Sequence, residues 1–169
     1  MIKFWKRRAS QKVLTEKVEQ NRELNALRRE LKENIHKKFA GSLAIRMVDS
    51  GSCNACEAEC NALSNPYYDL DRLGIYFVAS PRHADVMLVS GVVTFNMYHH
   101  LLDCYEQMAE PKWVIALGDC PLMESSSFKE SFAIKGIKST NLKIDYLIKG
   151  CPPSPDEIIK GLLEFLEKI

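Results

Sequence analysis

Four cysteines offer the clearest chemistry in this chain. Cys53 and Cys56 stand in Gly51-Ser52-Cys53-Asn54-Ala55-Cys56-Glu57, Cys120 follows Gly118-Asp119, and Cys151 lies in Gly150-Cys151-Pro152-Pro153. Each has Gly, Pro or a small polar residue beside it, so the backbone can turn around a bulky group. A Cys-x-x-Cys pair alone serves a redox dithiol or half a zinc site. A redox dithiol leaves Cys120 and Cys151 unexplained. Zinc sites commonly use two close pairs, whereas here 63 residues separate Cys56 from Cys120 and 30 separate Cys120 from Cys151. Four thiolates are also the ligand set of a cubane iron–sulfur cluster, which is large enough to be caged by several loops. The spacing favours the cluster and leaves zinc and redox thiols open. Cys60, one helical turn beyond Cys56, reads as a neighbour rather than a ligand, and Cys104 as a packing residue.

Such a set needs a fold to gather it. Strand-like segments are expected at Leu43–Val48, Ile75–Val78, Asp85–Ser90, Trp113–Leu117 and Ile144–Ile148, with helices after the cysteine pair, over Phe95–Met108 and from Ser154 onward. Ser154-Pro155-Asp156-Glu157 is a helix start, with a capping hydroxyl, proline in the first turn and acids at the positive dipole end. Alternating strands and helices predict an α/β fold with a doubly wound, mostly parallel sheet, in which ligands gather at the strands' carboxyl ends. The cysteines follow the first, fourth and last strands and should therefore meet at one edge.

Charge divides the chain in two. Residues 1–38 hold 12 Lys/Arg against 5 Asp/Glu, a net of +7, and residues 39–169 hold 11 against 17, a net of −6. Residues 9–38 lack Gly and Pro and read as one long helix, with Leu24, Leu27, Leu31 and Ile35 forming an apolar stripe. Ile2, Phe4 and Trp5 beside Lys6, Arg7 and Arg8 suit a lipid headgroup surface, and the helix suits docking on its own domain or on a partner. Charges of both signs alternate along it, which argues against nucleic acid. The division is therefore a basic helical extension over residues 1–40 and a domain over 41–169. No apolar run approaches the ~20 residues of a membrane span, and no secretory leader is recognisable. Six cysteines in a reducing cytoplasm point to metal more than to disulfides.

The cysteine motifs, with Asn65-Pro66-Tyr67-Tyr68-Asp69, Gly74-Ile75, Val78-Ala79-Ser80-Pro81-Arg82-His83-Ala84-Asp85, Leu88-Val89, Pro111-Lys112, Ile115-Ala116 and Gly118-Asp119-Cys120, resemble the small subunit of membrane-bound, energy-converting (group 4, formate hydrogenlyase-type) [NiFe] hydrogenases. They are also similar to the homologous B subunit of complex I. The resemblance covers residues 41–169, and the N-terminal helix is not part of it. The two-residue spacer between Cys53 and Cys56 is that of hydrogenases, since the complex I subunit has adjacent cysteines.

The resemblance implies a flavodoxin-like domain. It makes Cys53, Cys56, Cys120 and Cys151 the ligands of one proximal [4Fe–4S] cluster. The subunit would relay electrons between a ferredoxin-like polyferredoxin subunit and a [NiFe] large subunit that holds the catalytic site, in contact with membrane-arm subunits at the cytoplasmic face. Glu57 matches an acid at the large-subunit boundary on a proposed proton path, and it also reads simply as a first-turn helix acid. Arg82 and His83 match a loop near the cluster, where a cation raises the potential. Arg82 alternatively suits an interface ion pair, and His83 a hydrogen-bonded loop residue. His99 and His100 read as solvated. With no cysteine after Cys151, one cluster is expected. The alternative implied is a cluster subunit of a complex I-type, quinone-linked or hydrogenase-related oxidoreductase without a nickel site. One departure stands out: Pro121-Leu122-Met123-Glu124-Ser125-Ser126-Ser127 replaces the family's Gly-Gly turn after the third cysteine.

Overall fold

The computed structural model describes residue 3, residues 22–122 and residues 130–169. The expected helical residues 9–21, the aromatic-basic N-terminus except Lys3, and most of the loop after Leu122 lie outside the described residues.

Five parallel strands form one sheet in the order β2-β1-β3-β4-β5: β1 Leu43–Asp49, β2 Ile75–Phe77, β3 Val86–Ser90, β4 Trp113–Leu117 and β5 Tyr146–Ile148. This is the flavodoxin-like doubly wound order, with its switch point between β1 and β3. β3 is buried at every position, as its unbroken Val-Met-Leu-Val run requires of a central strand covered on both faces. Register aligns Asp49 with Ser90, Ser90 with Leu117 and Leu117 with Ile148. Four strands thus end level.

Two strands begin later than the expected segments, β3 at Val86 rather than Asp85 and β5 at Tyr146 rather than Ile144. Before β3, Asp85 Oδ2 accepts from the Ala44 N–H at 2.8 Å; before β5, Asp145 Oδ2 accepts from the Val114 N–H at 2.9 Å. In both places a carboxylate takes the acceptor role of a ladder carbonyl, so pairing starts with a side chain.

The α-helices among the described residues are α1 Arg22–Lys38, α2 Ala55–Leu63, α3 Phe95–Gln107 and α4 Pro155–Lys168. α1, α2 and α4 share one core with Leu43, Ile45, Leu88, Ile115 and Ile148, while α3 covers the other face over Met87, Val89 and Val114. α4 opens with the expected capping box, in which Ser154 Oγ accepts from the Glu157 N–H and Glu157 Oε2 accepts from the Ser154 N–H. It lies so close to β5 that a Cβ on Gly161 would stand 2.7 Å from Ile148 Cγ1.

The apolar stripe of α1 docks on the chain's own domain. Leu24, Leu31 and Ile35 are buried in the α4 core, and Leu27 packs at its margin. Arg28 pins the helix to the loop after α2: its Nη2 donates to the carbonyls of Tyr67 and Tyr68, and its guanidinium lies 5.8 and 5.9 Å from the two ring centroids.

Candidate functional site

The site lies beyond the level strand ends. After β1, Asp49 Oδ1 accepts from the N–H groups of Gly51 and Ser52, each at 2.8 Å, and this Asx turn aims the chain at Cys53. Asn54, at φ 69°, then bends the backbone into α2, which places Cys56 in its first turn. After β4 and β5 the chain makes a reciprocal latch. Asp119 N–H donates to the Gly150 carbonyl at 3.0 Å, and Gly150 N–H donates to Asp119 Oδ1 at 3.0 Å. Cys120 and Cys151, each one residue further on, are thereby held side by side.

All four predicted cysteines come together. Burial pushes the Cys56 thiol up to about 12, reinforced by the Glu57 carboxylate and then by Cys120, Cys53 and Cys151. The Cys120 thiol is raised by burial and then by Cys151 and Cys53, and it lies within hydrogen-bonding reach of Cys151. These mutual effects place the four sulfurs in one electrostatic neighbourhood. Cys53 and Cys151 are exposed, and Cys56 and Cys120 are half-buried. Gly118 leaves the room: at φ +80°, its Cβ would stand 2.9 Å from Cys56 Sγ.

The donor set fits a cationic iron–sulfur group. Four thiolates crowded on one edge repel one another, and bound iron would offset that repulsion while displacing the thiol protons. Among the described residues no group of three or more His, Cys, Asp or Glu side chains stands in a geometry that could hold a metal ion.

Glu57 turns toward the end of β3. Its Oε1 accepts from the buried Ser90 hydroxyl, and its Oε2 is buried without a hydrogen-bond partner. Ser50, equally buried, donates through Oγ to the Ser90 carbonyl. Sequence reasoning missed Ser50, Ser90 and Asp119. Their signal was a small polar residue at or just past each strand end, which is indistinguishable from ordinary turn composition.

Arg82 and His83 are not brought to this edge. They sit exposed in a 3₁₀ turn, Pro81–His83, whose flanking bonds, Val78 N–H to the Ile45 carbonyl and Asp85 N–H to the Ala44 carbonyl, set it at the amino half of the sheet. Cys60 is buried beside Cys56 and pushed up to about 12 by burial and then by Cys56. Cys104 packs in the other core, its thiol raised by burial and lowered by a hydrogen bond from Arg46. His99 and His100 are exposed.

The model of the NADH ubiquinone oxidoreductase 20 kDa subunit family matches residues 53–165. The chain is 39% identical over 148 residues to the probable membrane-bound hydrogenase subunit mbhJ of Pyrococcus furiosus, covering 86% of this chain and 88% of the relative. Among solved structures it is similar to a chain of the membrane-bound sulfane sulfur reductase, an archaeal respiratory membrane complex, with TM-score 0.66, 29% identity and coverage of 82% and 75%. The fold also matches a chain of an NAD+-reducing [NiFe]-hydrogenase, with TM-score 0.55, 15% identity and coverage of 75% and 92%.

Proposed function

The chain belongs to the NADH ubiquinone oxidoreductase 20 kDa subunit family, and from that premise we propose that it is the electron-transfer small subunit of a membrane-bound [NiFe] hydrogenase-type complex. Cys53, Cys56, Cys120 and Cys151 would hold one [4Fe–4S] cluster. The observation that carries this reading is the meeting of four thiols from three strand ends, separated by 63 and 30 residues, at one edge. When bound, such a cluster supplies one-electron transfer between a ferredoxin-like subunit and the large-subunit active site.

The chain's own residues fix ligand positions and the approach of the partner. The Asp119–Gly150 latch sets two ligands, and the Asp49 turn aims a third. Cys53 and Cys151 are exposed, so the edge suits coverage by a large subunit that excludes water. Glu57, anchored by Ser90 and with one unpartnered oxygen, would take or give a proton at that boundary. Arg82 and His83, at the other half of the sheet, fit an interface better than a role beside the cysteines.

Anaerobic purification tests the reading. A brown chain with broad absorption near ~400 nm and about four irons and four sulfides is expected; a colourless chain carrying zinc would overturn it. A second reading has its own support, because the family is named for a ubiquinone-linked oxidoreductase and one similar solved chain comes from a sulfane sulfur reductase. In that case the intact complex would reduce its acceptor without hydrogen turnover.

The N-terminal segment is proposed to dock on the membrane arm. Residues 1–21 carry 6 Lys/Arg against 2 Asp/Glu, with Phe4 and Trp5 among them. Among the described residues no helix is long and apolar enough to cross a membrane. Deleting residues 1–20 is expected to lower the membrane-bound share of the complex while the domain stays folded. An unchanged share removes the docking role. The deletion cannot extend to residue 38, since Leu31 and Ile35 are core residues and losing each costs about 2–5 kcal/mol.

A further inference from the structure

At the amino-terminal edge of the sheet, opposite the cysteines, a cleft of about 630 Å³ opens between α1 and the turn that leads into β2. Arg29, Lys32, His36 and Lys37 line one wall from a single face of α1, and Arg72 stands across from them. Arg29, Lys32 and Lys37 are exposed and make no ion pair among the described residues, although Glu33 lies within helical reach of both Arg29 and Lys37. Arg72 is held by Asp69 at 2.8 Å.

The floor is bare backbone and apolar surface. Gly41 and Gly74 approach so closely that a Cβ on Gly74 would stand 2.3 Å from the Gly41 carbonyl oxygen. Leu73 and the 42%-exposed Tyr76, on the edge strand β2, complete it. Four cations against Glu33 and Asp71 leave a net of +2, which suits one phosphate rather than a polyanion.

We infer that this cleft takes the phosphate of an anionic phospholipid headgroup and seats the β2 edge of the sheet on the membrane surface. The cations match the phosphate, and the Tyr76 ring matches the headgroup level, where tyrosines are enriched. The cleft is open rather than enclosed, and it continues the basic segment that precedes it in the chain. The inference rests on the reading that the chain serves a membrane complex, as the descriptions of its relatives suggest. It leaves the cysteine edge, at the other end of the strands, free for a protein partner.

Co-sedimentation of the anaerobically purified full chain tests this, using vesicles of phosphatidylcholine alone or mixed with phosphatidylglycerol. Binding is expected only to the mixed vesicles. The triple variant R29Q/K32Q/K37Q should bind them about tenfold or more weakly. A triple variant of the same charge change elsewhere, K138Q/K149Q/K160Q, should bind as the parent does. Equal losses in both triples would mean unspecific attraction and overturn the site. So would a soluble ligand, seen as thermal stabilisation by inorganic phosphate that the cleft triple abolishes, without vesicle binding. Intact vesicle binding with lost complex assembly would assign the cleft to an acidic protein partner instead. Iron content should be unchanged in the cleft triple, so the lipid site and the cluster reading fail separately.

Discussion

A Cys120→Ala chain is expected to emerge from anaerobic purification folded but colourless, its iron falling from about four per chain to near zero. Cys120 lies in a loop whose shape does not depend on its sulfur, because the bonds between Asp119 and Gly150 are made by backbone and carboxylate atoms. Removing the thiol therefore takes away a donor and leaves the scaffold. Cys56→Ala and Cys151→Ala should behave alike. Cys60 and Cys104 set the contrast. Cys60→Ala opens a small void at a buried position, at a cost of roughly 1 kcal/mol, yet keeps the iron. Cys104→Ala, in the opposite core beside Arg46, also keeps it. Iron and sulfide analysis together with the visible spectrum reads all five variants. A Cys120→Ala chain that retains full iron, or a Cys104→Ala chain that loses it, sinks the ligand assignment.

Gly91→Ala should damage both the fold and the site. Gly91 follows β3 at φ +83°, and a Cβ there would stand 2.6 Å from the Gly51 carbonyl carbon and 2.7 Å from both its oxygen and the Ser52 nitrogen. These are backbone atoms, and they are tied down. Ser50 N–H donates to the Ser90 carbonyl at 3.0 Å, Val92 N–H to the Gly51 carbonyl at 3.2 Å, and the Asp49 carboxylate holds the N–H groups of Gly51 and Ser52. Left-handed backbone costs a non-glycine residue about 1–2 kcal/mol, and the forced shift adds about 1–3 kcal/mol. Together they predict a fall in melting temperature of about 5–20 °C for a chain of this size. Cys53 is the next residue along the displaced loop, so iron occupancy should fall as well. Gly41→Ala isolates the conformational part. Its φ is +94°, but among the described residues the only near atom is His36 Nδ1 at 3.3 Å, on a side chain that can move. A loss of about 1–2 kcal/mol is expected there, with iron intact. Thermal unfolding followed by circular dichroism checks both variants, and a Gly91→Ala chain as stable as Gly41→Ala would rule out the close approach.

Much of this arrangement was legible in the residues. Val86–Val89 could only be a strand covered on both faces, and Ser154-Pro155 could only open a helix. A cysteine three residues after the end of a strand's apolar run, as Cys120 is after Leu117, had to sit at a carboxyl edge once the sheet was parallel. The rest depended on register, which no local pattern carries. Ser90 and Glu57 are 33 residues apart and meet because β3 ends level with β1. The resemblance set Arg82 and His83 near the cysteines, but β2 pairs only with the first half of β1, so the turn after it stays at the far half of the sheet. The stripe on α1 announced a buried face without saying whose surface would bury it. The starts of β3 and β5 were obscured because Asp85 and Asp145 stand in for ladder acceptors, a role invisible in a hydropathy pattern.

The latch between Asp119 and Gly150 also bears on the order in which the molecule can be completed. One half follows β4 and the other follows β5, and β5 pairs through only three residues at the rim of the sheet. During synthesis, the first three thiols are present long before the fourth has a place to stand. Only when the rim strand has zipped onto β4, and α4 has settled against it through Gly161, does Cys151 come to rest beside Cys120. The quartet is thus a readout of finished folding: a chain able to present all four thiols has already closed its sheet.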